Sequence, residues 1–476
     1  MEIYDVIVVG AGPVGLATAI GLRQRGIKNI LVLDQTRAFR QVGHTVDLLP
    51  NGLKALKCLE NKAYEAVKQN GMKFSSPPST DNQGQKSASN SPEWLYKNLQ
   101  GETIRSIPLS FDSWFANYGG GRVSIAWYEL QTALRKLLPP EQVKANHRCV
   151  DVIEQPEIGC VRVDCVCDMG TDENPYAHWQ EMTPVENPDT VSSPSASKSF
   201  QAKLVVGADG INSTVRRVIY EDTDYAAFSK PEYSGFTAII CRNIDNLPQD
   251  LVKQLEKKYI GDGRIVTIVS GAENPRMMLF RRGIGNFGYI IHAALTWESV
   301  QDKSGSALIE LGLKAIETAN FPDLIQQLVR ISPSENMQQR PYYIHRASTS
   351  NALQLPPTAH VTSNTDKEQI EPAWSHGRIV LVGDAAHGMP PFMAQGTNQG
   401  FEDALAIATL ITNLQLNDNQ AIATAWKKYE HLRRPSMIYM QQATLSPVIH
   451  SSQRDLQSYN QRVYGRDFEK VISTLL

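Results

Sequence analysis

Three glycines near the N-terminus have the spacing of a dinucleotide-binding turn. They lie in GAGPVG at residues 10–15, between an apolar run at residues 3–9 and a helical pattern that begins at Pro13. In such a turn the first glycine permits the bend, the second admits a pyrophosphate, and the third allows close helix packing. Asp34 closes the next predicted strand, near the expected spacing of about 20 residues, where a carboxylate accepts hydrogen bonds from an adenosine ribose. The pattern predicts a dinucleotide site whose phosphates lie at a helix N-terminus.

A second GxGxxG pattern occurs later in the chain, but its neighbours are wrong for a nucleotide site. Gly283, Gly285 and Gly288 form GIGNFG between two strand-like runs, MMLFRR and YIIHAAL. No helical pattern follows to present main-chain amides to a phosphate, so we expect a β-hairpin turn. The sequence therefore predicts one nucleotide fold, and a nicotinamide cofactor would bind without a Rossmann domain of its own.

The composition is that of an ordinary globular protein and excludes several classes of function. The 476 residues favour two or three structural units. Because 47 Lys and Arg face 49 Asp and Glu, the net charge is only −2, and we expect no basic surface for nucleic acid. The six cysteines form no CxxC pair and the ten histidines show no metal-ligand spacing, so no metal is expected.

The two ends of the chain bear on where the protein is found. Asp5 interrupts the N-terminal apolar run, which argues against an export signal, and no stretch approaches the roughly 20 apolar residues of a membrane span. We therefore expect a cytoplasmic protein, of a subunit number that the sequence leaves open. Apolar residues among arginines between Leu456 and Leu475 fit a membrane-surface helix or, as we favour, packing on the protein's own nucleotide domain.

Two further segments each follow a predicted strand and are rich in glycine and aspartate. They are GADGINSTVR at residues 207–216 and GDAAHGMPPFMAQGTNQGFEDA at residues 383–404. Together with GAGPVG they resemble the three fingerprints of the single-component FAD-dependent monooxygenases, the aromatic hydroxylase family with the p-hydroxybenzoate hydroxylase fold. The last segment is similar to the kynurenine 3-monooxygenase, salicylate hydroxylase and zeaxanthin epoxidase branches. The resemblance spans most of the chain.

The resemblance implies FAD as the bound cofactor and NADPH or NADH as a transient reductant. It places Asp209 near the pyrophosphate, Asp384 on the ribityl chain, and the helix that begins at Gln395 beneath the flavin ring, where its positive end stabilises negative charge. Pro391 would shape the loop that faces the flavin, and the catalytic side chain stays unknown. The expected cofactor-binding residues are Gly10, Gly12, Pro13, Val14, Gly15, Asp34, Gln35, Arg40, Gly43, Arg122, Asp209, Gly210, Gly383, Asp384, Gln395, Gly396, Thr397 and Asn398.

The sequence departs from the family pattern near the expected cofactor. Ala394 and Thr45 stand where the family usually has glycine, and Trp127 stands where it often has arginine. Arg122, shortly before Trp127, either contacts FAD in place of that arginine or is an ordinary surface charge. His387 lies in the flavin-binding turn, and we interpret it as a packed or capping histidine and not as a catalytic base.

The order of predicted elements, together with the resemblance, indicates an α/β fold. It would comprise a Rossmann-like FAD-binding domain of three layers, an inserted, mostly antiparallel β-sheet substrate domain, and C-terminal helices. The first domain is expected to be discontinuous, because GRIVLVGDAA repeats the strand-into-glycine pattern of the N-terminus. The expected boundaries are 1–74, 122–230 and 372–435 for the FAD-binding domain, 75–121 for a substrate-domain hairpin with a polar insertion, 231–371 for the substrate domain and 436–476 for a C-terminal helical segment.

The function that the resemblance implies is that of a monooxygenase. Its partners would be NAD(P)H, O2 and a small, largely apolar or aromatic substrate, which it would hydroxylate or epoxidise through a flavin hydroperoxide. The inserted sheet would roof the substrate cavity. Candidates for its lining, although ordinary core packing is favoured for any one of them, are Ile265, Thr267, Met277, Leu279, Tyr289 and Ile291. Two other functions stay open, a dehydrogenase or reductase of the geranylgeranyl reductase type and a flavin-binding protein without turnover.

Overall fold

The computed structural model of the protein describes most of the chain. The described residues are 2–36, 45–72, 93–168, 195–261, 265–270, 275–283, 285–349, 355–360, 371–445 and 453–475. Arg40, Gly43 and the polar insertion expected at residues 75–92 lie outside them.

Strands and helices alternate along the chain. The strands are β1 (Ile3–Val9), β2 (Ile30–Leu33), β3 (Thr45–Leu48), β4 (Glu93–Lys97), β5 (Thr103–Pro108), β6 (Val123–Ala126), β7 (Val143–Lys144), β8 (Arg148–Gln155), β9 (Cys160–Asp168), β10 (Ser195–Gly207), β11 (Glu232–Ile244), β12 (Ile265–Val269), β13 (Arg276–Gly283), β14 (Asn286–Ala294), β15 (Met337–Ile344), β16 (Ser375–His376) and β17 (Ile379–Leu381). The helices are α1 (Pro13–Gln24), α2 (Pro50–Leu59), α3 (Asn61–Asn70), α4 (Phe111–Tyr118), α5 (Trp127–Arg135), α6 (Thr214–Tyr220), α7 (Gln249–Leu255), α8 (Trp297–Val300), α9 (Ser306–Thr318), α10 (Asp323–Arg330), α11 (Asp384–His387), α12 (Gly396–Thr412), α13 (Asn419–Leu445), α14 (Gln453–Tyr464) and α15 (Phe468–Ser473).

The first sheet is a Rossmann-like sheet with a parallel centre. Strands β17, β10, β1, β2 and β7 run parallel in that order, and β16 and the β8–β9 hairpin add antiparallel edges. Residues 6–9 of β1 and all of β2 are buried apolar side chains, as expected for parallel strands covered on both faces. Helix α1 packs against α12, α2 and α5, so the two ends of the chain share one core.

The second sheet has seven strands in the order β15–β11–β14–β13–β12–β4–β5. All neighbours are antiparallel except β12 and β4. Gly283 ends β13 and Asn286 begins β14, and they pair across the turn, so the hairpin predicted for GIGNFG is confirmed. The β4–β5 hairpin also joins this sheet, as the sequence predicts.

Helices cover only one face of the second sheet. Residues from α7, α9 and α10 form a core with that face. Met277, Leu279, Tyr289 and Ile291 belong to this core, which confirms the core packing favoured for each of them and excludes these four from the cavity lining. Strand alternation separates two faces but does not reveal which one the helices cover. Ile265 and Thr267 alternate to the opposite face.

The C-terminal helices pack on the first domain. Val463, Phe468 and Leu475 are buried in the core of the first sheet, which confirms the packing that we favoured for this segment. The boundary expected at residues 435–436 falls inside α13, which continues through Pro435 because buried side chains on both sides hold it in place. We propose the remaining domain boundaries as the sequence gives them. Among the described residues, no helix has both the length and the apolar character needed to cross a bilayer.

Candidate cofactor and substrate site

The N-terminal glycine turn has the geometry of a phosphate cradle. Gly10 has a φ of +106°, and a Cβ on Gly15 would lie 1.9 Å from the carbonyl oxygen of Gly10. Gly12 faces open space, with no atom within 4 Å of the position of a Cβ. It precedes α1, whose first turn contains Pro13 and Val14 and has neither a capping side chain nor an acidic residue. Free main-chain amides and the positive helix end can therefore receive an anion here.

Asp34 ends β2 beside this turn. Its Oδ2 accepts the amide of Ala11 at 2.6 Å, and its Oδ1 accepts the amide of Thr36 at 2.8 Å. These bonds fix the orientation of the carboxylate relative to the glycines, and Gln35 next to it is exposed. The placement fits a role at an adenosine ribose. That role stays a prediction.

Asp209 supplements the N-terminal cap of a helix. Its Oδ1 accepts the hydroxyl of Ser213 at 2.5 Å, and its Oδ2 accepts the amides of Thr214 and Val215 at 2.7 and 3.1 Å. Ser213 is the N-cap residue of α6, and Asp209 supplements this cap by accepting two further amides of the first turn. Burial raises the pKa of Asp209, although the same hydrogen bonds oppose this. Gly210 beside it has a φ of +78° and no atom near the position of a Cβ, so the main chain is open on that side.

Arg216 joins the second glycine-rich segment to the third. Its guanidinium is fully buried and donates to the carbonyls of Ala385 and Ala386 at 3.0 and 2.9 Å, and to that of Phe228 at 2.8 Å. The first two carbonyls belong to α11, directly after Gly383. A buried guanidinium with three carbonyl partners holds the two segments in a fixed relation.

Gly383 and Asp384 form a turn at the end of β17. Gly383 has a φ of +59°, and Val14 of the first segment lies 3.3 Å from the position of its Cβ. The side chain of Asp384 is exposed and has no hydrogen bond or ion pair to a described residue. Protein surrounds it nevertheless, and this burial raises the pKa of Asp384. An accessible carboxylate without a partner among the described residues is suited to accept hydrogen bonds from a bound ligand.

Asp403 is the centre of a buried charge network behind this turn. Its Oδ2 accepts the amide of Gly383 at 2.9 Å and lies 2.7 Å from Nε2 of His387, and its Oδ1 accepts Nε of Arg433 at 2.7 Å. Burial alone would raise the pKa of Asp403, but His387 and Arg433 outweigh it and lower the pKa to about 2. Arg433 also pairs with Glu402. His387 is thus a packed partner of Asp403, as predicted.

The first turn of α12 is open at its N-terminal end. Gln395 precedes the helix without capping it, and the first turn contains no acidic residue. The Oε1 of Gln395 accepts Nδ2 of Asn51 at 3.1 Å. Gly396 lies near Asp384, whose Oδ1 is 3.5 Å from the position of a Cβ, and Thr397 is half-buried. The positive end of α12 is available to negative charge on a ligand.

Asn398 has a structural role that the sequence did not reveal. Its Oδ1 accepts the amide of Leu49 at 2.9 Å, and its Nδ2 donates to the carbonyls of Asp47 and Ala394 at 2.9 and 2.6 Å. The carboxamide is buried and joins α12 to β3. Any contact of Asn398 with a cofactor must therefore come from its main chain.

The departures from the family pattern have distinct environments. Ala394 has a φ of +52°, the left-handed region in which glycine is the least strained residue. Thr45 is exposed at the start of β3, and Trp127 begins α5. Arg122 is buried and its Nη2 donates to Oδ2 of Asp47 at 2.8 Å, so a surface charge is the wrong interpretation. A contact between Arg122 and FAD stays a prediction.

The uncovered face of the second sheet carries rows of side chains. Strand register places Arg340, Ala238, His292 and Arg276 side by side across β15, β11, β14 and β13. The next row is Gln338, Ile240, Ile290, Met278, Thr267, Tyr96 and Arg105. Segment 389–394, which we call the flavin loop, contacts this face through Phe392. The face is thus a wall of mixed character opposite the expected flavin site, on which apolar side chains such as Ile240 and Ile290 lie beside arginines.

Arg276 is the unusual residue on this wall. It is half-buried and has neither a hydrogen bond nor an ion pair to a described residue. Its guanidinium lies 4.3 Å from the centroid of the Phe392 ring. Burial is the main cause that lowers the pKa of Arg276, and nearby Arg105 acts in the same direction. A desolvated, unpaired guanidinium favours an anionic ligand.

Sequence reasoning missed Arg276, Asp403 and Arg433. Alternation in PRMMLFRR, residues 275–282, could have separated Arg276 from its neighbours, but the lack of a partner among the described residues appears only when the strands are assembled. Asp403 lies within the third segment, yet its pairing with Arg433 joins residues of two helices that no local pattern relates.

Known proteins are similar to this chain in sequence and in fold. Residues 3–47 and 330–444 match a family model described as an FAD binding domain. The chain is 25% identical to 3-amino-4-hydroxybenzoate 2-monooxygenase of Streptomyces cremeus, over 90% of this chain and 83% of that protein. It is 23% identical to 3-hydroxybenzoate 6-hydroxylase 1 of Aquipseudomonas alcaligenes, over 90% and 84% of the two chains. A salicylate hydroxylase substrate complex has the same fold, with a TM-score of 0.66 and 17% identity over 100% of this chain and 98% of that one.

Proposed function

The chain belongs to the family of single-component FAD-dependent monooxygenases, and from that premise we propose that it hydroxylates a small aromatic carboxylate with O2 and NAD(P)H. The observation that carries the choice of substrate is the guanidinium of Arg276, which has no hydrogen bond or ion pair to a described residue and lies beside the apolar side chains of the wall. A carboxylate matches the planar donor fork of arginine. The relatives described above are named for hydroxybenzoates, which supports the same class. The comparisons give no support to a reductase or to a flavin protein without turnover.

The described residues fit FAD. The open side of Gly12 and the uncapped first turn of α1 are suited to a pyrophosphate, and the unpaired carboxylate of Asp384 is suited to ribityl hydroxyls. The uncapped start of α12 is suited to negative charge on the ring. When bound, FAD supplies the redox chemistry that activates O2.

The wall would hold the substrate by one charged contact and many apolar ones. Arg276 would bind the carboxylate and so fix the direction of the ring. The ring would lie along the neighbouring row, where Met278 and Ile290 are half-buried. The hydroxyl of Thr267 in that row has a partner within the protein, since Trp94 Nε1 donates to Thr267 Oγ1 at 2.9 Å. Such a wall excludes water from the reacting centre.

His292 and Tyr342 lie beside Phe392, close to Arg276, and neither side chain adds a charge there near neutral pH. Burial, followed by the charge of Arg276, lowers the pKa of His292 to about 3, and burial raises the pKa of Tyr342 to about 12. Both groups are therefore neutral near pH 7. The Tyr342 hydroxyl and His292 Nδ1 are 3.2 Å apart and satisfy each other. An incoming carboxylate thus meets the guanidinium of Arg276, with Arg340 in the same row of the sheet.

The proposal is tested by turnover of matched acids and amides. We expect the FAD-loaded enzyme, given NADPH or NADH and labelled O2, to place one labelled oxygen atom in hydroxybenzoates and to use the corresponding benzamides at least tenfold less efficiently. Arg276→Gln should lower kcat/KM for the acids by about 10- to 100-fold, the range of one charge-assisted hydrogen bond, and change that for the amides little.

Arg281→Gln is the matched control for this experiment. Arg281 lies on the same strand, but it pairs with Glu256 at 3.0 Å and is partly exposed. It should leave the preference for acids unchanged. Equal use of acids and amides would contradict a carboxylate substrate, and label from water or a desaturated product would contradict oxygenation.

A further inference from the structure

Phe392 is enclosed by side chains of the second sheet. The rings of Phe236, His292 and Tyr342 stand nearly perpendicular to it, with centroid distances of 5.2, 5.4 and 5.5 Å. The guanidinium of Arg276 lies over its face at 4.3 Å. We call these four residues the Phe392 socket. Edge-to-face ring pairs and a cation over a ring face are each attractive, so the socket is a specific binding site for this one side chain.

The socket fixes a loop whose backbone is unfavourable. Phe392 is the centre of the single turn Pro391–Met393, and Ala394 follows in the left-handed region with a φ of +52°. The helix that begins at Gly396 comes next. A residue with a Cβ adopts this conformation only where its surroundings impose it. Here the flavin loop is held on one side by Phe392 and on the other by the bond from Asn398 to the carbonyl of Ala394.

Arg276 belongs both to the socket and to the proposed substrate site. Among the described residues, the side chain of Arg276 has no hydrogen bond and no ion pair, and its close contact is the face of the Phe392 ring. A carboxylate is a stronger partner for a guanidinium than a ring face, because it adds charge and two hydrogen-bond acceptors. A bound carboxylate would therefore draw the guanidinium away from Phe392. The remaining ring contacts would then hold the loop less tightly.

We propose that Phe392 is a positioning residue that fixes the flavin loop before substrate binds, and that an anionic substrate loosens the loop by taking Arg276 out of the socket. The inference rests on the proposed function, since it uses the same guanidinium as the carboxylate site. It makes the charge of the substrate the signal that frees the loop beside the flavin. It also explains how a substrate bound on the second sheet acts on the flavin loop of the FAD-binding domain, because Phe392 of that loop contacts the sheet.

The experiment measures hydrogen–deuterium exchange of the flavin loop in the FAD-loaded enzyme. Benzoate is the anionic probe and benzamide its neutral match. We expect benzoate to increase exchange of the amides between residues 389 and 397 several-fold, and benzamide to leave it unchanged. Phe392→Leu should give the fast exchange without any ligand, together with several-fold faster reduction of the flavin by NAD(P)H alone. Arg276→Gln should also raise the ligand-free exchange and abolish the response to benzoate.

Met393→Leu is the control, because it changes the neighbouring side chain of the same turn and leaves the socket intact. Unchanged loop exchange in both Phe392→Leu and Arg276→Gln would overturn the proposal, as would equal changes in Phe392→Leu and Met393→Leu. A failure of saturating benzoate to alter exchange in the wild type would overturn the role of the anion. If hydroxybenzoates give labelled product but benzoate never changes loop exchange, the proposed function holds and the role of the loop is contradicted. If benzoate changes loop exchange but no labelled product forms, the proposed function is contradicted and the role of the loop holds.

Discussion

Nε2 of His387 and Oδ2 of Asp403 lie 2.7 Å apart, and neither side chain is accessible to water to any meaningful extent. The same carboxylate oxygen accepts the amide of Gly383, so one atom fixes both ends of the short helix α11. Asp403 is therefore the support of the turn that presents Asp384. The histidine completes this support and does not face the substrate wall.

Asp403→Asn should destabilise the fold and weaken FAD retention together. The amide keeps the shape of the side chain but leaves Arg433 and His387 with less negative charge, and disruption of a buried ion pair costs about 3 kcal/mol or more. Urea unfolding of the apoprotein and FAD titration measure the two effects. Asp245→Asn, at an exposed position, is the control. Wild-type stability in Asp403→Asn would show that the network is not needed.

Asp384→Ala and Asp209→Ala should separate cofactor binding from folding. Asp384 has no described protein partner, so its loss should reduce FAD affinity while the apoprotein stays as stable as the wild type. Asp209 supplements the N-terminal cap of α6, so its loss should cost about 1–2 kcal/mol of apoprotein stability and affect FAD less. Apoprotein melting and FAD binding, measured on both variants, check this. Similar profiles for the two would contradict the distinction.

The pH dependence of stability should carry the signature of His292. Its folded pKa is about 3 and its ordinary value is 6.5, so below pH 6.5 the unfolded chain binds a proton that the folded chain does not. Stability must therefore fall as the pH falls from about 6.5 towards 3, by about 2 kcal/mol at pH 5 from this group alone. His292→Phe should flatten urea-derived stability between pH 7 and 5.

Two other histidines provide the comparison for that measurement. The pKa of His345 is also lowered, chiefly by burial, so part of the slope should survive in His292→Phe. His376→Gln, on an exposed strand end, should leave the slope as in the wild type. An unchanged slope in His292→Phe would mean that this histidine titrates normally in the folded protein.

Ala394→Gly should change the coupling of NAD(P)H oxidation to substrate oxygenation more than it changes the stability of the fold. Glycine removes the left-handed strain of about 1–2 kcal/mol but gains chain entropy in the unfolded state, so the net stability should change by at most about 1 kcal/mol. The loop should become more mobile, and substrate-free oxidation of NAD(P)H with release of peroxide should rise. NAD(P)H consumption and peroxide yield without substrate measure this. A fall in both would indicate that the alanine does not restrict the loop.

Local chemistry was predictable from the sequence where one segment contains both partners. The turn at Gly10 and Gly15 needs only its own backbone, and the hairpin at Gly283 needs only its flanking strands. The role of Asn398 was not predictable in the same way. It lies in a recognisable motif, but its hydrogen-bond partners decide what it does, and Leu49 and Asp47 are far from it in the chain.

The substrate wall could not be predicted from the sequence, because its residues come together only in the assembled sheet. Alternation along β13 separates Met277 from Arg276, but only the packing of α9 and α10 shows that Met277 is on the covered face. The left-handed conformation of Ala394 could be suspected from the family's glycine, whereas the socket around Phe392 combines four strands and a loop. Such long-range combinations leave no periodic trace in the sequence.

The placement of β17 in the first sheet has a consequence for how the protein is made. β17 pairs with β10, but roughly 170 residues separate Gly207 from Ile379, and strands β11 to β15 of the second sheet are synthesised between them. At about 5–20 residues per second, a ribosome needs roughly 10–40 s for that interval. During that time one edge of β10 has no final neighbour, and Asp384 and α12 do not yet exist. Acquisition of the cofactor must therefore be a late event in synthesis, and truncated or stalled chains should present an open strand edge to chaperones and proteases.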